Sequence, residues 1–181
     1  LEHGERDARA LAGDPEVQAD LYATLGGIHD NLGNFEQADS LLVRSLVARR
    51  ALGADRADYA STLIQIGLLR GHQSRFDEAD SLVRAGLAVL EKHGTPEELA
   101  DATRSLGIVL SEKGDYDKAI TLLEDAARRD SLANRPAEEK GITLTELANA
   151  HFYAGHYALA DSINRMVLAI DRAVHGPRHP A

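Results

Sequence analysis

The chain has 181 residues with 20 Lys plus Arg against 29 Asp plus Glu, a formal net charge of -9 that argues against nucleic acid as a partner, because binding a polyanion needs cationic side chains. Hydrophobic residues make up 44% and aromatics only 4%, with no Trp, so the chain can bury a core and that core must be aliphatic and alanine-rich. The absence of Cys excludes disulfides, a zinc ribbon and thiol catalysis, and the longest apolar run, Ala85 to Leu90 with Gly86 admitted, is far below the ~20 residues that insertion as a membrane-spanning helix needs. The chain begins at Leu1 with no basic-then-apolar leader, so a signal peptide is absent or already removed and the sequence reads as part of something longer. Asp14-Pro15 opens a first predicted helix pair, residues 14–53, whose second helix closes at Gly53; Asp55 opens a second, residues 54–94, closing at Gly94. The third pair, residues 95–134, has the sharpest start: Thr95 as N-cap, Pro96 at the first helical position and Glu98 completing a capping box. Leu99, Ala102, Leu106, Val109 and Leu110 form one apolar stripe, Gly114 supplies a left-handed stop, and Asp115 is expected to cap a second helix carrying Tyr116, Ala119, Ile120, Leu122, Leu123 and Ala126. Arg135-Pro136 opens a fourth pair, residues 135–176, closing at Gly176, and no segment reads as a strand.

The pairs are copies of one another. Leu32-Gly33-Asn34-Phe35-Glu36-Gln37-Ala38 recurs as Gln73-Ser74-Arg75-Phe76-Asp77-Glu78-Ala79, then around Tyr116 and Ala119, and again around Tyr157 and Ala160; the aromatics are 41, 40 and 41 residues apart. Leu25-Gly26, Ile66-Gly67, Leu106-Gly107 and Leu147-Ala148 keep the same register. A mid-helix Gly costs up to ~1 kcal/mol against Ala, so close approach of the partner helix is the expected return. The aromatics at 35, 76, 116 and 157, equivalent by repeat, are assigned to packing between neighbouring copies.

This pattern, Leu-Gly followed by Gly-x-Tyr/Phe-x-x-Ala, resembles the tetratricopeptide repeat over residues 15 to 176. The repeat length of 40 to 41, with Gly176-Pro177-Arg178-His179-Pro180 at the end, is similar to the long-repeat subtype of kinesin light chains and many bacterial proteins. The resemblance implies an all-α fold, a right-handed α-solenoid of antiparallel helix pairs. It makes residues 1–13 the end of a preceding helix and residues 177–181 the start of a further repeat. Gly4 to Ala19 also resembles, more weakly, the segment that introduces the repeats of certain bacterial serine/threonine kinases, although the chain itself holds no Gly-rich phosphate loop, catalytic loop or Asp-Phe-Gly.

Repeats of this kind present their first helices to a concave groove. Carried onto this sequence, the groove residues are Asp20 and Asp30 in copy one, Ile64 and Leu68 in copy two, Asp101, Arg104, Ile108 and Glu112 in copy three, and Glu146, Asn149, Phe152 and Tyr153 in copy four. Five acids face one Arg104, over an apolar floor at Ile64, Leu68, Ile108 and Phe152. The carboxylate clamp of repeats that bind acidic chaperone tails uses Lys, Arg and Asn, for which only Arg104 and Asn149 are present here. The expected partner is therefore a protein or peptide segment with basic and apolar side chains, bound by burial and charge complementarity, in a cytoplasmic docking or sensing part of a bacterial signalling protein. Self-association is the alternative: Ile163, Val167, Ile170 and Val174 of the last helix lack a following repeat and are available to form a homodimer. Phe152 and Tyr153 have no aromatic counterparts in the other copies, and read either as ligand anchors or as the seat of a further repeat.

Catalytic and cofactor chemistry finds no footing. His151 with His156, and His175 with His179, are the nearest approaches to metal-ligand spacing, but one pair straddles a turn and Pro177 separates the other. Asp115-x-Asp117 lacks the further oxygens and Gly of a calcium loop, and Glu97-Glu98 and Glu138-Glu139 fall where helix starts favour acids. No enzyme activity, metal or cofactor is expected.

Overall fold

The computed structural model describes residues 13–176, which form eight α-helices and no strand. They are α1 (Pro15–Asn31), α2 (Phe35–Leu52), α3 (Ala57–His72), α4 (Phe76–His93), α5 (Pro96–Lys113), α6 (Tyr116–Leu132), α7 (Ala137–Tyr153) and α8 (Tyr157–His175). They divide into two compact units, one ending at His93 and one beginning at Gly94, each made of two successive helix pairs. The expectations for a preceding helix and for a further repeat fall on residues 1–12 and 177–181, outside the described residues.

Local signals set the helix ends. Asp14 Oδ1 accepts from the Val17 amide at 3.2 Å and opens α1. At α5 the Glu98 amide donates to Thr95 Oγ1 at 3.2 Å while the Thr95 amide donates to Glu98 Oε2 at 2.8 Å, the reciprocal bonds of a capping box. Two expected caps are corrected. Asp55 does not open α3, which starts at Ala57 after Arg56, and Arg56 ties to Asp58 and Glu16 instead. Asp115 makes no capping bond to α6, because its Oδ2 accepts from Lys118 Nζ at 2.6 Å. The turn inside each pair uses one left-handed residue: Gly33, Gly114 and Gly155 in three copies and Ser74, with φ of 59°, in the other.

Packing explains the mid-helix glycines. A Cβ added at Gly26 would stand 2.7 Å from Leu42 Cγ, at Gly67 2.6 Å from Val83 Cγ2, and at Gly107 2.7 Å from Leu123 Cγ, so the second helix of each of these pairs lies against bare backbone of the first. Ala38, Ala79, Ala119 and Ala160 are all buried at the same crossings. Gly86 is a second close approach that the repeat pattern did not reveal: its Cβ would lie 2.7 Å from Ile64 Cγ1 and 2.8 Å from the Ala60 carbonyl oxygen. By register this position is Ser45, Gly86 and Ala126 in three copies and Val167 in the fourth. The aromatic assignment also needs one correction. Phe35, Phe76 and Tyr116 are half-buried, but Tyr157 is 64% exposed, because no further helix pair packs over it among the described residues.

Within each unit a polar pin joins one pair to the next at the same repeat position. In the first, buried Arg49 of α2 donates through Nη1 to Thr62 Oγ1 at 2.6 Å and to the Asp58 carbonyl at 2.8 Å on α3, and through Nη2 to Asp20 of α1 at 2.6 Å. In the second, Asp130 of α6 is 1% exposed and accepts from Thr143 Oγ1 of α7 at 2.6 Å, with Arg135 Nε 3.7 Å from its other oxygen. Burying a charge is tolerable only with such partners.

Candidate functional site

Within each unit the expected groove residues take different roles. Asp20 is spent on Arg49, and Asp30 Oδ1 accepts from His72 Nδ1 at 2.9 Å, while the His72 ring lies 6.3 Å from that of Phe35. Ile64 is a correction: it is 8% exposed, enclosed behind Gly86 rather than forming an open floor. Leu68 is half-buried. In the second unit Asp101 holds Arg104 and Arg135, each through a 2.8 Å contact, and Arg104 Nη1 also donates to Thr143 Oγ1 at 3.2 Å. These two predicted groove charges therefore belong to the α5–α7 joint. Burial presses the Arg135 guanidinium toward losing its proton, yet hydrogen bonds and charge from Asp101 and Glu139 outweigh it and raise its affinity for the proton.

Five of the predicted residues do converge. Ile108 and Glu112 of α5 and Glu146, Asn149 and Tyr153 of α7 line one cleft of about 350 Å³, together with Ser111 and Tyr116. The amphipathic register of α5 and α7 puts their last turns side by side, and the tight Gly114 turn places Tyr116 at the mouth. The Tyr116 and Tyr153 rings stack with centroids 6.1 Å apart and planes 18° from parallel. Phe152 lies outside the cleft. It meets Tyr153 edge-on at 5.6 Å and Tyr157 at 5.4 Å, and the three rings, 55 to 64% exposed, form an aromatic surface over the α7–α8 turn. Tyr116 was missed as a cleft residue because its repeat position reads as packing in every copy; the signal available was its place at the first turn after the end of the preceding helix.

Two further features bear on chemistry. His151 and His156 approach with Nδ1 atoms 3.2 Å apart, one imidazole donating to the other, and burial followed by the His156 charge holds His151 below its usual pKa despite Glu124. Among the described residues no group of three or more His, Cys, Asp or Glu is arranged to hold a metal, and His179 lies outside them. A second cleft of about 420 Å³ opens between α7 and α8, lined by Ile142, Val167, Ile170 and Val174 with Glu138, Asp171 and His175 among its polar residues. Val167, standing where the other copies have a small residue, lines that cleft. No helix among the described residues is long and apolar enough to cross a membrane.

Tetratricopeptide repeat models match residues 17–92, 102–134 and 142–181. A search of curated proteins returns no significant match. Among solved structures, BtubC (BKLC) from P. vanneervenii is similar at 18% identity and a TM-score of 0.75, covering 93% of this chain and 70% of its own. A putative kinesin light chain from Podosopora anserina with nearly identical TPR-like repeats gives 16% identity and 0.68, covering 98% and 97%. A Rap protein complexed with Competence and Sporulation Factor gives 13% identity and 0.81, covering 87% of this chain and 44% of its own. At these identities the likeness establishes a fold, an α-solenoid of helix pairs, and with the repeat models spanning most of the sequence the chain belongs to the tetratricopeptide repeat family.

Proposed function

We propose that this chain is a non-catalytic scaffold that holds a segment of a partner protein against its first helices, as a docking or sensing part of a larger bacterial signalling protein. The observation that carries the reading is the cleft in which two successive first helices bring Glu112, Glu146, Asn149 and Tyr153 around Ile108. Carboxylates beside an apolar wall suit a segment with basic and apolar side chains. The Rap neighbour, complexed with Competence and Sporulation Factor, supports a binding role for such a stack of helices. A peptide array probed with the whole chain tests it: basic-apolar sequences are expected to be retained, and to be lost when Glu112 and Glu146 are both changed to Lys. Preferential retention of acidic sequences overturns the reading.

Self-association is the second reading, favoured by the apolar cleft between α7 and α8. Sedimentation equilibrium would report a dimer that Ile142→Glu, at a 52% exposed position, dissociates; a monomer at all concentrations overturns it.

A further inference from the structure

We propose that Glu138, at the rim of the α7–α8 cleft, is the docking site of Arg178, so that the cleft is covered by residues 177–181 of this chain. Arg178 lies outside the described residues, and what points to it is the way the other copies use the same positions. In the first unit Arg56, at the entry to the second helix pair, reaches back through Nη2 to Glu16 in the first turn of α1. In the second unit Arg135, at the entry to the fourth pair, reaches back through Nη1 to the Glu97 carbonyl at 3.1 Å and to Asp101 at 2.8 Å, both in the first two turns of α5. Glu16, Glu97 and Glu138 occupy one repeat position, each ten residues before the mid-helix Gly26, Gly107 or Ala148. Arg178 follows Tyr157 by the same 21 residues that separate Arg56 from Phe35, and Arg135 stands two positions earlier in its copy. The second copy is an internal control. It has Ala57 at the position of the acid, and the entry after it, Gly94-Thr95-Pro96-Glu97, holds no arginine. Acid and arginine are therefore present together in three copies and absent together in the remaining one.

The rim suits a guanidinium. Asp171 occupies the position of Asp130, whose carboxylate lies 3.7 Å from Arg135 Nε, so an arginine entering as Arg135 does meets a second carboxylate beside Glu138. A planar fork of five donors can serve two carboxylates at once. His175 Nε2 stands 3.6 Å from Glu138 and 3.8 Å from Asp171, beyond hydrogen-bond length, which leaves both acids with acceptor capacity. At the position of Asp101 the fourth copy has Ile142, 52% exposed in the cleft with Val174 40% exposed nearby, and carrying Arg178 to Glu138 draws its neighbours over this apolar pair. The inference is independent of the groove reading and competes with self-association, because a rim held by Arg178 closes the cleft to a second copy.

The test uses the whole 181-residue chain in two measurements. Trypsin cuts after an arginine only when that side chain enters the protease, so cleavage after Arg178, read as the mass loss of His179-Pro180-Ala181, proceeds from the undocked state. Glu138→Gln is expected to raise that rate by about 2- to 5-fold, the factor that an exposed ion pair supplies, while cleavage after Arg128 in α6 stays unchanged. In amide NMR spectra Arg178→Ala should shift Ala137–Ile142 at the start of α7, and the exchange of charges in Glu138→Arg with Arg178→Glu should restore those signals. Equal cleavage rates in the parent and Glu138→Gln, or no response at Ala137–Ile142, overturn the proposal. A response at Ala137–Ile142 that vanishes on dilution assigns the cleft to a second copy, which overturns the proposal and leaves the self-association reading standing. The expected response in a chain that stays monomeric at every concentration supports the proposal and overturns that reading instead.

Discussion

Replacing Gly86 by Ala sets two effects of opposite sign against each other, and the packing of α3 on α4 decides which wins. In an unconstrained helix interior the change stabilises by about 1 kcal/mol, because Ala has less backbone entropy to lose. At Gly86 the new methyl would stand 2.8 Å from the Ala60 carbonyl oxygen and 2.7 Å from Ile64 Cγ1. The oxygen belongs to the α3 backbone and cannot rotate aside, so α3 and α4 must separate locally, an overpacking cost of roughly 1–3 kcal/mol and at times more. The net expectation is destabilisation by up to about 2 kcal/mol, a drop in Tm of up to about 8 °C for a chain of this size. Gly27→Ala is the internal control, since it lies inside α1 and its Cβ would meet nothing within 4 Å; it should raise Tm by a few degrees, about 2–4 °C. Thermal unfolding followed by circular dichroism reads both. A Gly86→Ala variant as stable as Gly27→Ala would refute the claim that helix contact, rather than chance, placed glycine at position 86.

Thr95→Ala removes one arm of the capping box at α5 and should cost about 1 kcal/mol in urea unfolding; no change in midpoint would show that Glu98 suffices alone. Thr143→Val takes the hydroxyl donor from buried Asp130 at unchanged shape, with an expected loss of about 1.5–3 kcal/mol, whereas a near-neutral result would mean that Arg135 alone holds the carboxylate. His151 has a folded pKa below its unfolded value of 6.5, because burial and then His156 disfavour its charged form. The unfolded chain thus binds more protons in that window, so the stability His151 contributes is complete above pH 6.5 and declines as the pH falls through the lowered folded value. Melting temperatures between pH 7.5 and 5.5 should fall less steeply in His151→Gln than in the parent chain, with Glu124 and His156 unchanged; parallel slopes would count against it. Binding of a basic-apolar segment retained on the peptide array should weaken as salt rises, since charge attraction in an open cleft is screened, and affinity independent of salt would point to burial alone.

Much of the architecture was legible in residue order alone. Helix pairs, their turns and their repeat length follow from apolar spacing, glycines and caps, which act over a few residues: Thr95, Pro96 and Glu98 carry their own helix start, and Gly33, Gly114 and Gly155 their own turns. The Leu-Gly marker announced close helix contact because a glycine inside a helix needs a reason, and Leu42, Val83 and Leu123 supply it. Five groove residues, Ile108, Glu112, Glu146, Asn149 and Tyr153, were likewise placed together by register. What register did not contain is who pairs with whom across helices. The charge count took Asp20 and Asp101 as groove acids because their partners, Arg49 and Arg135, lie on other elements and are remote from them in sequence. Ile64 looked exposed until Gly86 let α4 close over it, and Tyr116 looked like packing alone until α7 set Tyr153 beside its ring in the cleft. Periodicity is a property of one helix and is written in neighbouring residues; ion pairing, enclosure and the shape of a cleft are properties of the space between helices, which only the folded arrangement defines.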